Sequence, residues 1–154
     1  MTQHITKPAD FEWQTALRAI AVADAAYQTF KERYADPLFQ REDALEALHG
    51  LVAPGGGRTA TPGYFENRAA LRAANPDCFV PDDISDALER LCTVFCDAQT
   101  AAMNTPAPDL AALRWKLDHA MSIESGGTDG WTVEYVKQML ADIDRLLPPA
   151  GTGA

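Results

Sequence analysis

The sequence predicts an all-α protein, an antiparallel helical bundle of four main helices plus two shorter ones. Three observations predict it. Apolar side chains return every three to four positions along most of the chain, no segment alternates branched or aromatic residues with polar ones at period two, and breaks rich in proline or glycine cut the periodic stretches into helix-sized pieces.

The first piece runs from Asp10 to Tyr34. Trp13, Leu17, Ile20, Tyr27, Phe30 and Tyr34, with Ala16 and Ala23 between them, lie on one helix face, and Asp10 is placed to cap the N-terminus. Asp36-Pro37 should end this helix, because a residue before proline is pushed out of the α region. Leu38, Leu45, Leu48 and Val52 continue the period on a shorter second helix, which Ala53-Pro54-Gly55-Gly56-Gly57 should stop.

Thr61-Pro62 suits an N-cap followed by proline at the first helical position, and Tyr64 to Ala74 then forms a short helix with a thin apolar face of Phe65, Ala69 and Leu71. Asp77 to Pro81 reads as a turn. From Asp82 to Met103 the residues Ile84, Leu88, Leu91, Phe95 and Ala98, with Val94 beside them, make a wide stripe, and the acidic first turn complements the positive end of the helix dipole. Thr105-Pro106-Ala107-Pro108 breaks that helix. The next runs from Asp109 to Glu124 with Leu110, Leu113, Leu117 and Met121 on one face, and Ser125-Gly126-Gly127 closes it. Thr132 is placed to cap the last helix, Trp131 to staple it onto Val136, and Val136, Met139, Leu140, Ile143 and Leu147 to form its buried face before Pro148-Pro149.

The domain organisation follows: a flexible N-terminus at 1–9, a single helical domain at 10–147 with a Gly-rich connection at 53–63, and a disordered tail at 148–154. A chain of 154 residues is long enough for one core without disulfide staples. With 47% hydrophobic and 23% charged residues the composition is that of a globular protein. Cys78, Cys92 and Cys96 follow no secretory leader, so a cytoplasmic, reducing compartment is expected, and no apolar run is long enough to span a membrane. A net charge of −9 repels phosphate backbones and anionic lipid, which argues against direct nucleic-acid or membrane binding.

No complete catalytic set emerges. Glu46 and His49 stand at the i, i+3 spacing by which carboxylate-bridged metal bundles present two ligands, but His119 has Lys116 at the matching position, so the second half of such a site is missing. A metal-binding bundle using Glu46 and His49 is therefore the alternative reading, and no cofactor or metal is expected. Cys92 and Cys96, one turn apart, pack as small apolar residues, and Cys78 lies exposed in its turn. Gly55-Gly56-Gly57-Arg58-Thr59 lacks the spacing of a phosphate-binding loop and reads as a linker. Asp118-His119 are neighbours in sequence and point about 100° apart on a helix, which disfavours a dyad.

Two features point instead to a protein partner. Asp82, Asp83, Asp86, Glu89 and Asp97 face Arg90 alone, a concentration of negative charge on one helix that would seek a basic surface. Trp115 falls off the Leu113/Leu117 face, so it either packs on a neighbouring helix or marks an interface.

The stretch from Thr105 to His119, Thr-Pro-Ala-Pro-Asp-Leu-Ala-Ala-Leu-Arg-Trp-Lys-Leu-Asp-His, followed by a glycine-containing break and the closing Ala141-Asp-Ile-Asp-Arg-Leu-Leu147, resembles the C-terminal hairpin of small uncharacterised helical proteins of bacterial prophages and mobile elements. The resemblance covers about the last third of the chain and implies a phage or mobile-element accessory protein, without an activity or site residues. The expected function is a non-enzymatic helical protein–protein interaction module, in its sharper form an acidic inhibitor of a host nucleic-acid-handling defence protein. A homo-oligomer is a further arrangement that exposed helix faces allow.

Overall fold

The computed structural model describes residues 8–51, 62–122 and 132–147. Among these the fold is all-α, with no strand. Helix α1 spans Pro8–Phe30, α2 Asp36–Leu48, α3 Tyr64–Ala74, α4 Asp82–Asn104, α5 Leu110–Ala120 and α6 Val133–Leu146. The N-terminal segment up to residue 7, nearly all of the Gly-rich connection, the Ser125-Gly126-Gly127 stop, the Trp131 staple and the tail 148–154 lie outside the described residues. Helix α4, expected from Asp82 to Met103, is found with 23 residues, whereas α5, expected as a main helix reaching Glu124, has 11 and ends at Ala120.

Pro37 does not end the first helix. Asp36 keeps α-helical backbone angles of −58° and −42°, and one π turn, Lys31–Ala35, leads directly from α1 into α2. The cause is the hydrogen-bond ladder: a proline in a helix interior has no N–H to give and crowds the carbonyl one turn back. The wider turn takes up that misfit, with the Asp36 N–H bonding to the Lys31 carbonyl five residues back. Lys31 Nζ lies 3.3 Å from the Asp36 carboxylate across the same turn. The extra residue also shifts the helix phase, so Ala35 is buried and Tyr34, expected inside, is exposed.

Helix α2 stops earlier than the glycine run. Gly50 takes φ +68°, the Leu51 N–H reaches the Glu46 carbonyl at 2.9 Å and the Gly50 N–H the Ala47 carbonyl at 3.1 Å, a Schellman ending with glycine at its left-handed position. Gly63, also at φ +68°, is the N-cap of α3, so Pro62 precedes the helix instead of opening it. At the starts of α5 and α6 side chains do the capping. Asp109 accepts from the Ala112 N–H at 2.8 Å and Thr132 from the Tyr135 N–H at 3.2 Å.

The chain forms two compact units, one of residues 24–93 and the other of the residues up to Ala23 with those from Val94 onward. In the first, Leu51, Tyr64, Leu71 and Phe79 make the apolar core, with Leu45 and Cys78 packed against it. Cys78 is thus drawn inward by the 3-10 turn Pro76–Cys78 and is not exposed as expected. On α3 Leu71 is buried as expected, but Phe65 and Ala69, expected on the same face, are exposed and Tyr64 is buried instead.

In the second unit, one cluster joins Trp13, Ala102, Ala107, Ala112 and Leu113, and another joins Met103, Ala120 and Met139. Trp115 packs against both. Of the predicted stripe on α5 only Leu113 is buried, beside Ala112, Lys116 and Ala120, and Leu110, Leu117 and Met121 are exposed. On α6 it is Met139 and Asp142 that are buried, while Leu140 and Leu147 point outward. Cys96 is exposed and not packed inside, and Val94 is likewise exposed.

Candidate functional site

Helix α4 begins with acid. Asp82 and Asp83 occupy its first turn, where exposed backbone N–H groups and the helix dipole favour negative charge. Asp83, Asp86 and Glu89 follow at three-residue spacing and are exposed, as Asp82 is. Arg72 on α3 donates to Asp82 at 2.7 Å, an exposed contact in water that binds weakly. Asp83, Asp86 and Glu89 form no ion pair among the described residues, which leaves their charge directed at solvent. Arg90 is exposed beside them. Asp97 is also exposed, but it belongs to the other compact unit.

The remaining charged groups on the inner faces are engaged with one another. In the unit of residues 24–93, Glu42 and Glu46 are buried one turn apart on α2. Arg68 on α3 answers both: its Nε donates to Glu46 at 2.6 Å and its Nη2 to Glu42. The Tyr64 hydroxyl donates to Glu46 at 3.2 Å and the Val80 N–H to Glu42 at 3.1 Å. The guanidinium also lies 5.3 Å from the centre of the Phe79 ring. Burial works against the Arg68 cation, but hydrogen bonds to Glu46 and Glu42, together with their charges, outweigh it and raise its pKa.

This arrangement removes the basis for Glu46 and His49 as metal ligands. The Glu46 carboxylate is turned inward and taken up by Arg68 and Tyr64, whereas His49 is exposed as the C-cap of α2. Among the described residues no group of three or more His, Cys, Asp or Glu is placed to hold a metal ion.

The other unit has its own buried charge cluster around Asp142 of α6. Lys116 Nζ of α5 donates to it at 2.7 Å, the Ala107 N–H at 3.0 Å, Gln138 at 3.2 Å and Arg145 at 2.9 Å. Arg145 donates to the Ala107 carbonyl as well, so the Pro-rich turn before α5 is tied to α6 from both sides. Burial lowers the pKa of Lys116, the bond to Asp142 and its charge oppose that, and the nearby Arg145 charge adds to the lowering. No buried side-chain nitrogen or oxygen among the described residues lacks a hydrogen-bond partner. Such saturated clusters order the helices they join.

Trp115 packs on neighbouring helices. Its ring meets Trp13 edge-on at 5.4 Å and stacks on His119 at 5.1 Å with the planes 3° apart. It remains half-buried and lines an open groove of about 260 Å³ with Trp13, Leu17, Pro108, Asp10 and Asp109. His119 is thereby turned to Trp115 while both Asp118 oxygens accept from Arg114 at 2.8 Å, so the adjacent pair forms no dyad. Among the described residues no helix is long and apolar enough to cross a membrane.

The sequence reading missed both buried charge clusters. Periodicity assigns charged residues to solvent unless a partner on another helix is known, and the spacing of Lys116 one turn from Ala112, Leu113 and Ala120 was the available signal. Set against known family models, curated proteins and solved structures, the chain matches none.

Proposed function

We propose that this protein is a non-enzymatic interaction module that presents the acidic start of α4 to a basic surface on another protein. The observation that carries the reading is the contrast between the two kinds of carboxylate. Glu42, Glu46 and Asp142 are buried and matched to cations, while Asp83, Asp86 and Glu89 stand in water on one helix without an ion pair among the described residues. The first turn favours the charge of Asp83, but Asp86 and Glu89 lie beyond it and like charges there repel one another, so their concentration on a folded helix makes best sense as a device for steering an oppositely charged partner.

In the sharper form of the proposal the partner is a nucleic-acid-handling host protein, whose basic groove the acidic helix occupies, and the chain is an accessory of a phage or mobile element. The net charge of −9 fits a mimic of a phosphate backbone and opposes binding to nucleic acid itself. Asp97 and Trp115, also expected at the interface, belong to the other compact unit and are not needed for this reading.

Affinity capture from a bacterial lysate, repeated at low and high salt with the natural chain and with an Asp83→Asn/Asp86→Asn/Glu89→Gln variant, tests it. A partner retained at low salt, released at high salt and lost by the variant supports the proposal. Capture that is indifferent to salt and to neutralisation contradicts it.

A further inference from the structure

We infer that α6 is a self-association surface on which a second copy of this chain lays its own α6 in antiparallel orientation. The inference is independent of the acidic face of α4. It starts from spacing: Val133, Val136, Leu140, Ile143 and Leu147 follow one another at steps of three, four, three and four, the seam by which two helices pack knobs into holes.

Among the described residues nothing covers that seam. The fold buries the adjacent face, Met139 and Asp142, and leaves Val133 63%, Leu140 54% and Leu147 45% exposed, with Val136 and Ile143 half-buried. Val133 and Leu140 on the helix and Leu147 at its C-cap, one heptad apart and all open, form a continuous strip and not a scatter of single exposed residues.

Charge selects the occupant and its direction. Lys137 and Asp144 flank the strip, each one position after a seam residue, and both are exposed without an ion pair among the described residues. When Leu140 faces Ile143 of the second copy and Val136 faces Leu147 of the second copy, antiparallel geometry sets Lys137 beside Asp144 of the second copy. The two-fold axis repeats the pair, giving two ion pairs from one surface, as an isologous interface requires. A parallel pairing sets the same two charges against Thr132 and Met139 and forms neither. Two heptads make less than a standard-size interface, so the association is expected in the micromolar range or weaker.

Sedimentation equilibrium from micromolar to millimolar chain tests the inference, with circular dichroism on each variant to follow helix content. Lys137→Asp alone and Asp144→Lys alone place like charges together and should each weaken self-association at least about tenfold. Mixed in equal amounts, the two variants regain opposite charges at both pairs and should form a heterodimer with at least the natural affinity. Leu140→Glu should abolish association in any mixture. A natural chain that stays monomeric throughout, single variants that associate as it does, or a mixture that fails to recover would each overturn the proposal.

Discussion

Lys116 and Asp142 form an ion pair at 2.7 Å from which water is excluded, their side chains being 0% and 1% exposed. The pair joins α5 to α6, and the Lys116 ammonium also lies 5.8 Å from the centre of the Trp13 ring on α1. Three helices of one compact unit thus meet at a single buried cation. Removing one partner of such a pair leaves the other charged and dry, which costs far more than replacing both.

Lys116→Met should therefore destabilise the fold by about 3 kcal/mol, the lower end of the usual range because Arg145 still answers Asp142. Asp142→Leu should cost more, since it strips the acceptor from Lys116, Gln138, Arg145 and the Ala107 N–H together. The double variant Lys116→Met/Asp142→Leu should lose less than the sum of the two singles. Urea unfolding of the four proteins measures this, and strict additivity would show that the pair is not coupled.

The lowered pKa of Lys116 gives a pH dependence of definite sign. In the unfolded chain the amine has its ordinary value of 10.5, so between the lowered folded value and 10.5 the unfolded state holds more protons than the folded one. Stability contributed through this group then rises with pH across that window. Thermal melts of the natural chain and Lys116→Met, compared from neutral pH to about pH 10, should show the natural chain gaining relative to the variant. A relative loss would contradict the assignment.

Arg68 binds two carboxylates with two different nitrogens, which a lysine ammonium cannot reproduce in the same geometry. Arg68→Met should cost about 2–3 kcal/mol, reduced from the fully buried case because the guanidinium is 31% exposed. Arg68→Lys should fall between, and Glu42→Gln/Glu46→Gln added to Arg68→Met should recover part of the loss. Chemical denaturation distinguishes these, and equal stability of all variants would remove Arg68 from the account.

Two local endings carry their own cost. Asp109→Ala removes the cap of α5 and should cost about 1 kcal/mol, with Asp109→Asn close to neutral. Gly50→Ala meets no atom within 4 Å, so its expected cost of about 1 kcal/mol comes from the positive φ alone, and Gly50→Asn should cost less. Thermal melts of the four variants test both endings, and an Asp109→Ala protein as stable as the parent would deny the cap.

The existence and order of the helices were legible in the sequence because apolar periodicity is a local property. Their inner faces were less so. The π turn before Pro37 moved Ala35 inward and Tyr34 outward, a phase change that a residue count along a regular helix cannot register. On α5 and α6 the inward positions held by Lys116 and Asp142 were not legible, because each is tolerable only with the other, 26 residues away in sequence. The acidic run at the start of α4 was plain from composition, since exposed charge needs no partner to be recognised. Glu46 read as half of a metal site because its spacing from His49 was visible and its bond to Arg68 was not.

The most direct measurement is the association rate of the captured basic partner with the natural chain and with Asp83→Asn/Asp86→Asn/Glu89→Gln, followed by stopped flow across a range of salt. An acidic α4 that steers the partner predicts a rate that falls steeply with ionic strength for the natural chain, and a slower, nearly salt-independent rate for the variant. Equal rates with equal salt dependence would mean that α4 does not guide the encounter.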